Sequence, residues 1–335
     1  MNIFYKMNWI PFVEEPMDVK WVVPVMIGIA AVGAGLYARY SPQYSLFEDR
    51  QLLTRGLNTP TVWIFYDDSD VNSRFWADFG ARSSRVLNLP FLNLCYQSII
   101  KACGSKYHVE VISGLEDAAM RLGGWDVMPD SLRNKRLPLR SEEMMYLRTA
   151  FLAKYGGLWV PASTIFVKEL PELPKDKIVF FGSDPNETYA GPQGTRVPNT
   201  EVIWAGQKEM PELVAWSQAL FDRLANRNGG KEVRRDQAWD YIHFAEGKPS
   251  VVVMPNAELT RKAPSGKKIE CEDILAAGTE GVLPFTLSSE TLYIPIPYPE
   301  ILKRHAFGWF QRMSEEQIME SDIAVKYLFV WGTTH

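Results

Sequence analysis

The stretch YLRTAFLAKYGGLWVPAST, residues 146–164, decides the fold of this chain. Its first half continues a helix predicted from Ser141 to Lys154, where a serine and two glutamates suit the amino end of a helix. Gly156 and Gly157 then end the helix in a turn that needs a positive φ angle or close packing. Leu158 to Val160 follows as a strand. The stretch therefore predicts a helix, a glycine turn and a core strand in immediate succession.

On both sides of this stretch, strands alternate with helices. Thr61 to Tyr66 is β-branched and aromatic and predicts a buried strand, whereas Phe91 to Cys103 has the apolar spacing of a helix. The other predicted strands are Tyr107–Ile112, Ile165–Val167, Ile178–Phe181 and Val251–Met254, and the other helices are Leu115–Leu122, Leu213–Leu224 and Gln237–Phe244. This order predicts an α/β fold with a mainly parallel sheet flanked by helices. Ligands of such sheets bind at the carboxyl ends of the strands, which places Asp67, Asp68 and the segment after Val160 near any site.

A membrane-spanning helix is predicted from Trp21 to Ala38, which reads WVVPVMIGIAAVGAGLYA. Its 18 uncharged residues cover about 27 Å, close to the thickness of the hydrocarbon core of a bilayer. A cleaved signal peptide is disfavoured because acidic residues precede the segment, and a buried soluble helix would usually carry a polar stripe. The small residues Gly28, Ala31 and Gly35 predict close packing against another helix. The expected partners are therefore the lipid bilayer and other membrane-protein subunits.

The composition excludes several classes of function. The chain has 335 residues, with 36 Lys and Arg against 40 Asp and Glu, and its basic residues form no run, so no nucleic-acid partner is expected. Three cysteines without a Cys-x-x-Cys pair do not predict a disulfide framework. Four histidines without metal-ligand spacing do not predict a zinc site.

The helix, glycine turn and strand resemble the core motif of DXD-type glycosyltransferases, specifically the capsular polysaccharide synthesis and mannosyltransferase-like group. That group reads Ser-Asp-x-x-Arg, a helix, and then Tyr-Gly-Gly-x-Tyr/Trp-x-Asp-x-Asp/Thr. The matching residues here are Arg148, Tyr155, Gly156, Gly157 and Trp159. The resemblance covers about residues 58–225. It implies a GT-A-like, Rossmann-like sheet and a site for a sugar nucleotide.

The acidic residues of that motif are missing from this chain. The first Asp of the group falls at Met145, and the DXD motif falls at Pro161, Ala162 and Ser163, which are expected on a loop at the carboxyl edge of the sheet. The resemblance implies that the DXD carboxylates hold Mn²⁺ or Mg²⁺ against the diphosphate, and these side chains offer no carboxylate. We therefore expect no metal, no other cofactor and no catalytic residue. The resemblance leaves a vestigial sugar-nucleotide site at Asp67, Asp68, Met145, Arg148, Gly156, Gly157, Trp159, Pro161 and Ser163.

Two ways of restoring a working site stay open. An acidic residue after the first strand could act as a base while a basic residue replaces the metal, and the candidates are Asp67, Asp68, Asp70, Arg148 and Lys154. Alternatively, Glu142 lies three residues before Met145, shares its helix face approximately, and could provide a carboxylate.

Residues 14–50 resemble, over a short length, a single-span accessory subunit of mitochondrial respiratory complex I. Together with the degenerate motif, this predicts a non-catalytic accessory subunit, single-pass in the mitochondrial inner membrane. The alternative is an active glycosyltransferase in a secretory-pathway membrane that transfers a sugar from a sugar nucleotide to a glycan or lipid. A viral or envelope structural protein with the same inactive fold is a third possibility. The predicted segments are a tail (1–20), the span (21–38), a linker (39–57), a glycosyltransferase-like domain (58–255) and a C-terminal extension (256–335).

Overall fold

The computed structural model describes residues 59–66, 89–133, 139–188, 196–225, 244, 248–254, 257, 269–278 and 283–334. These residues belong to one compact unit, Leu46–His335. Three predicted features lie outside the described residues. They are the membrane span with its small residues, the acidic residues Asp67, Asp68 and Asp70, and nearly all of the helix Gln237–Phe244. Among the helices that are described, none combines the length and the apolar character needed to cross a bilayer.

Six strands form the central sheet: β1 (Thr61–Tyr66), β2 (His108–Ser113), β3 (Gly157–Pro161), β5 (Ile178–Phe181), β8 (Ile203–Ala205) and β9 (Val251–Met254). Their order across the sheet is β2-β1-β3-β8-β5-β9. β8 runs antiparallel to its neighbours β3 and β5, and the other strand pairs are parallel. Two small antiparallel pairs accompany this sheet: β4 (Thr164–Phe166) with β10 (Tyr293–Pro295), and β6 (Ser183–Thr188) with β7 (Arg196–Pro198). The predicted mainly parallel sheet is confirmed.

Helices pack on both faces of this sheet. The α-helices of the described residues are α1 (Pro90–Cys103), α2 (Gly114–Leu122), α3 (Ser141–Tyr155), α4 (Pro211–Ala225), α5 (Cys271–Ile274), α6 (Tyr298–Lys303), α7 (Gly308–Gln311), α8 (Glu315–Glu320) and α9 (Ala324–Thr334). The alternating side chains of β1 explain the two layers. Val62 and Ile64 pack with α1 on one face, and Trp63 and Phe65 pack with α3 and α4 on the other. A strand buried on both faces reads as a continuous apolar run, as β1 does.

The C-terminal residues continue the layer that contains α1. Phe91 at the start of α1 lies 5.1 Å, centroid to centroid, from Phe310 of α7. Ile294 of β10 and Phe329 of α9 belong to the same buried cluster. At the far end of α1, Lys101 donates a hydrogen bond to the Thr333 carbonyl. α1 is therefore enclosed between the sheet and residues near the end of the chain.

The structure corrects three details of the sequence prediction. Pro161 is the last residue of β3, opposite Phe65, so the expected loop is only the turn Ala162-Ser163. Val251–Met254 was expected to be buried, but it forms the edge of the sheet and Val252 is 38% exposed. At the start of α3, the Glu143 carboxylate accepts a hydrogen bond from the backbone N–H of Arg140, so Arg140 takes the capping position expected for Ser141.

A buried serine joins α1 to β4 and gives the first testable prediction. The Ser98 hydroxyl accepts a hydrogen bond from the Phe166 N–H at 3.1 Å and donates one to the Cys95 carbonyl at 2.7 Å. Ser98→Ala leaves the buried Phe166 N–H without this partner, so we expect the free energy of unfolding to fall by about 1–3 kcal/mol. Urea denaturation followed by tryptophan fluorescence measures it. The exposed Ser105→Ala serves as the control, and equal losses in the two variants would contradict the role of the buried bond.

Candidate functional site

Strands β1, β2 and β3 end at Tyr66, Ser113 and Pro161, and these three ends lie at one edge of the sheet, the carboxyl edge. Ligands of open α/β sheets bind at this edge. Since β8 is antiparallel, the residues before it reach the same edge. The Phe181 N–H donates to the Val202 carbonyl at 3.3 Å, and the Asn199 N–H donates to the Gly182 carbonyl at 3.0 Å. Residues 199–202 therefore lie beyond the carboxyl end of β5. The amino end of α3 lies at this edge too, because α3 runs against β3.

The turn at the DXD position contributes an apolar side chain to a small cavity and a backbone carbonyl to a hydrogen bond. Ala162 lines a small apolar cavity together with Ile64 and Tyr66. The Ser163 carbonyl accepts a hydrogen bond from the Ile296 N–H at 2.8 Å. Within the described ranges, no three His, Cys, Asp or Glu side chains are grouped to hold a metal ion. The residues at this turn therefore do not fit a divalent cation, which would require carboxylate oxygens.

The residue that replaces the first acidic position of the motif is also part of the core. Met145 lies on α3, is 2% exposed, and belongs to the cluster between α3, α4 and the sheet. Its neighbour Tyr146 is buried as well, and burial raises the pKa of the phenol to about 12. A group with that pKa stays protonated at neutral pH and does not act as a base. Glu142, the proposed carboxylate replacement, is half-buried on the first turn of α3.

Arg148 brings a buried positive charge to this edge. Its side chain is 7% exposed, and Nη1 donates a hydrogen bond to the Thr200 carbonyl. Thr200 belongs to the loop before β8, so the bond holds the guanidinium against the carboxyl edge. A buried charge is retained in a protein interior when hydrogen bonds compensate for the loss of water. The guanidinium is consequently fixed in place by the loop.

Lys154, the other cation predicted to replace a metal, lies at the opposite edge. Its Nζ donates hydrogen bonds to the carbonyls of Arg121 and Leu122, at 2.9 and 2.8 Å, where α2 ends. Arg148 and Lys154 are six residues apart on α3, and the structure places only Arg148 of the pair at the carboxyl edge.

The turn between α3 and β3 and its packing on β1 depend on Gly156, Gly157 and Trp159. The two glycines have φ angles of 69° and 94°, and a Cβ at Gly157 would lie 2.2 Å from the Thr61 carbonyl oxygen. The Trp63 indole N–H donates to the Gly156 carbonyl at 2.9 Å, and Trp159 stacks on Phe65 with 6.2 Å between ring centroids. The glycines lie at the amino ends of β1 and β3, away from the carboxyl edge. The positive φ angles and the close approach to β1 explain why both motif positions are glycine, and neither explanation involves a ligand.

The predicted site residues thus separate into groups. Arg148, Pro161 and Ser163 lie at the carboxyl edge, Met145 and Trp159 lie in the core, and the glycines lie at the amino edge. Thr200 is the residue that the sequence did not indicate. A threonine that contributes only its carbonyl leaves no pattern in a sequence, so the contact became visible only in the structure.

No family model and no curated protein sequence matches the chain. Among solved structures, the galactosyltransferase LgtC is 13% identical with a TM-score of 0.38, covering 71% of this chain and 87% of its own. The glycosyltransferase GlyE of Streptococcus pneumoniae is 8% identical with a TM-score of 0.36, covering 83% and 60%. A glycosyltransferase involved in glycosylation of the major capsid of PBCV-1 is 11% identical with a TM-score of 0.31, covering 73% and 100%. TM-scores below 0.5 do not establish a common fold, so the functional inference rests on the residues of this chain.

Proposed function

We propose that the chain is a glycosyltransferase-like protein that binds a sugar nucleotide at the carboxyl edge of its sheet without a divalent metal ion at Pro161–Ser163. The observation that carries the proposal is the Arg148 guanidinium, buried and held at that edge by the Thr200 carbonyl. The motif resemblance supports the class of ligand, because α3, the glycine turn and β3 follow one another as that motif requires.

Arginine suits the role that the motif assigns to a metal. Its guanidinium keeps its charge at any physiological pH and presents several N–H donors in a planar fork that matches phosphate oxygens. A donor group that is already oriented needs no rearrangement when negative charge develops on the departing diphosphate. Arg148 would therefore bind and orient the diphosphate and stabilise it as it leaves. No residue is assigned as a base, since Asp67, Asp68 and Asp70 lie outside the described residues.

Release of nucleoside diphosphate from sugar nucleotides tests this function. The full chain in detergent or nanodiscs is incubated with a panel of uridine and guanosine diphosphate sugars, with water or an added glycan as the acceptor of the sugar, once with EDTA and once with Mn²⁺. We expect release in EDTA at a rate within about twofold of that in Mn²⁺, because no carboxylate at residues 161–163 recruits the metal. Release that requires Mn²⁺ would contradict the metal-free site, and no release from any donor would favour the second candidate.

The second candidate is a non-catalytic accessory subunit of a membrane assembly, and the packing of Met145 favours it. Met145 replaces the first acidic position of the motif with an apolar side chain that packs in the core. The mitochondrial inner membrane and respiratory complex I are part of this proposal through the resemblance of residues 14–50. The first candidate instead places the chain in a secretory-pathway membrane.

Purification from native membranes separates the two candidates. A subunit is expected to remain in a large complex with other membrane proteins after mild solubilisation, whereas a transferase is expected alone or as a small oligomer. Mass spectrometry of the bound proteins identifies the assembly. A large complex that also releases nucleoside diphosphate would contradict a purely structural role.

A further inference from the structure

Thr200 carries a second polar group next to the carbonyl that holds Arg148. The residue is only 7% exposed, and its hydroxyl makes no hydrogen bond to the part of the chain that the structure describes. A threonine hydroxyl donates one hydrogen bond and accepts up to two. Taking such a group out of water without a partner costs free energy, so buried hydroxyls have protein, water or ligand partners. The Thr200 hydroxyl therefore takes its partner from outside the protein.

Other buried hydroxyls of the domain differ from this one. Ser98 Oγ bonds to two backbone groups, and Thr149 Oγ1 donates to the Met145 carbonyl at 3.0 Å. Thr164 Oγ1 has no partner within the described ranges either, but Thr164 is completely enclosed. Of these four residues, only Thr200 combines an unpartnered hydroxyl with a direct contact to Arg148.

The loop that carries Thr200 is fixed on both sides of it. The Asn199 N–H donates a hydrogen bond to the Gly182 carbonyl at 3.0 Å, just beyond the carboxyl end of β5. The Asn199 side-chain oxygen accepts one from the Glu201 N–H at 2.9 Å, which closes a turn around Thr200. A donor held in this way needs little rearrangement when a ligand arrives.

The hydroxyl lies close to the Arg148 guanidinium. Covalent bond lengths keep the Oγ1 of a threonine within about 5 Å of its own carbonyl oxygen. Arg148 Nη1 donates to that oxygen, so both side chains bring a donor to one place at the carboxyl edge. A diphosphate presents several charged acceptor oxygens, and hydrogen bonds to charged acceptors are the stronger ones. Two donors this close suit oxygens of the same diphosphate.

We propose that the Thr200 hydroxyl donates a hydrogen bond to the diphosphate that Arg148 binds. One residue then has two functions, because its carbonyl positions the guanidinium and its hydroxyl contacts the ligand. This inference rests on the proposed function and adds a second ligand-binding residue to the same site.

Calorimetry of two variants of the full chain tests the contact. Uridine and guanosine diphosphate sugars are titrated in EDTA, and inorganic diphosphate is titrated separately. Thr200→Val keeps the shape and the backbone carbonyl but removes the hydroxyl, so we expect about tenfold weaker binding of both kinds of ligand. Thr200→Ser keeps the hydroxyl and should bind within about threefold of the unchanged protein. The urea midpoint of Thr200→Val should not fall, because no hydrogen bond within the protein is lost.

Thr164→Val is the matched control. It makes the same substitution at a buried threonine whose hydroxyl has no partner among the described residues. Thr164 begins β4, directly after the turn Ala162-Ser163, and is 0% exposed, so a ligand does not reach its hydroxyl. We expect unchanged affinity for the sugar nucleotides and for inorganic diphosphate.

Three results would overturn the contact while leaving the proposed function in place. The first is unchanged affinity for both kinds of ligand in a folded Thr200→Val protein. The second is equal weakening in Thr200→Val and Thr164→Val, which would indicate a general effect of packing. The third is a lower urea midpoint that accompanies weaker binding to Thr200→Val, which would make the hydroxyl a structural group.

The inorganic diphosphate titration separates this inference from the proposed function. If the unchanged protein binds inorganic diphosphate but no sugar nucleotide, and Thr200→Val weakens that binding, the contact stands and the proposed function is wrong. If it binds neither ligand, both are wrong.

Discussion

Gly157→Ala is expected to lower the free energy of unfolding by about 2–5 kcal/mol, a large part of the stability of a typical domain. The φ angle of 94° is unfavourable for any residue with a Cβ, and the added Cβ would lie 2.2 Å from the Thr61 carbonyl oxygen. That oxygen belongs to the backbone of β1 and cannot move without disturbing the pairing of β1 with β3. Urea denaturation monitored by tryptophan fluorescence measures the loss.

Gly104→Ala is the control for this variant. Gly104 also has a positive φ angle, 52°, but a Cβ there meets nothing within 4 Å. We expect a loss of about 1–2 kcal/mol from the backbone conformation alone. If the two variants lose the same stability, close packing of the turn on β1 is not the reason for the second glycine of the motif.

Arg148→Met is expected to weaken sugar-nucleotide binding about 10- to 100-fold, because hydrogen bonds to a charged group contribute about 1.5–3 kcal/mol. Methionine keeps much of the side-chain volume. Arg148→Lys keeps the charge and loses the planar fork, so its affinity for the nucleotide should lie between those of the unchanged protein and Arg148→Met. The Thr200 carbonyl loses its Arg148 donor in the methionine variant. Denaturation must therefore accompany the calorimetry, to show that the weaker binding belongs to a folded protein.

Lys154→Met is the matched control. It removes the same charge from the same helix, but at the amino edge, where Lys154 bonds to the carbonyls of Arg121 and Leu122. We expect unchanged affinity for the nucleotide. Equal weakening in both variants would mean that only the overall charge matters, and unchanged affinity in a folded Arg148→Met protein would remove Arg148 from the site.

Local patterns predicted most of the elements. The apolar run of β1 and the spacing of α1 place these elements within a residue or two, because both depend on neighbours in the sequence. The glycine turn was predictable for the same reason, since helix termination by Gly156 is a local event. The motif likewise identifies Arg148 as a candidate site residue from the sequence alone.

Features that depend on distant residues were not predictable. The direction of β8 cannot be predicted from its three apolar residues, Ile203–Ala205. Because β8 is antiparallel to β3, Thr200 before it lies at the carboxyl edge. Pro161 reads as a turn residue, but in the structure it ends β3, where Phe65 of β1 is its partner. The pairing of β4 with β10 joins segments more than 120 residues apart, and no local pattern reports it.

Calorimetry of sugar-nucleotide binding with and without metal tests the central claim most directly. Uridine and guanosine diphosphate sugars are titrated into the full chain in EDTA and again in Mn²⁺. We expect the same dissociation constant, within about twofold, in both conditions, and weaker binding to Arg148→Met, because the positive charge at the carboxyl edge comes from Arg148 rather than from an ion. Micromolar binding that appears only with Mn²⁺ and disappears in Glu142→Ala would contradict it, since a carboxylate on α3 would then hold the metal that Pro161–Ser163 cannot.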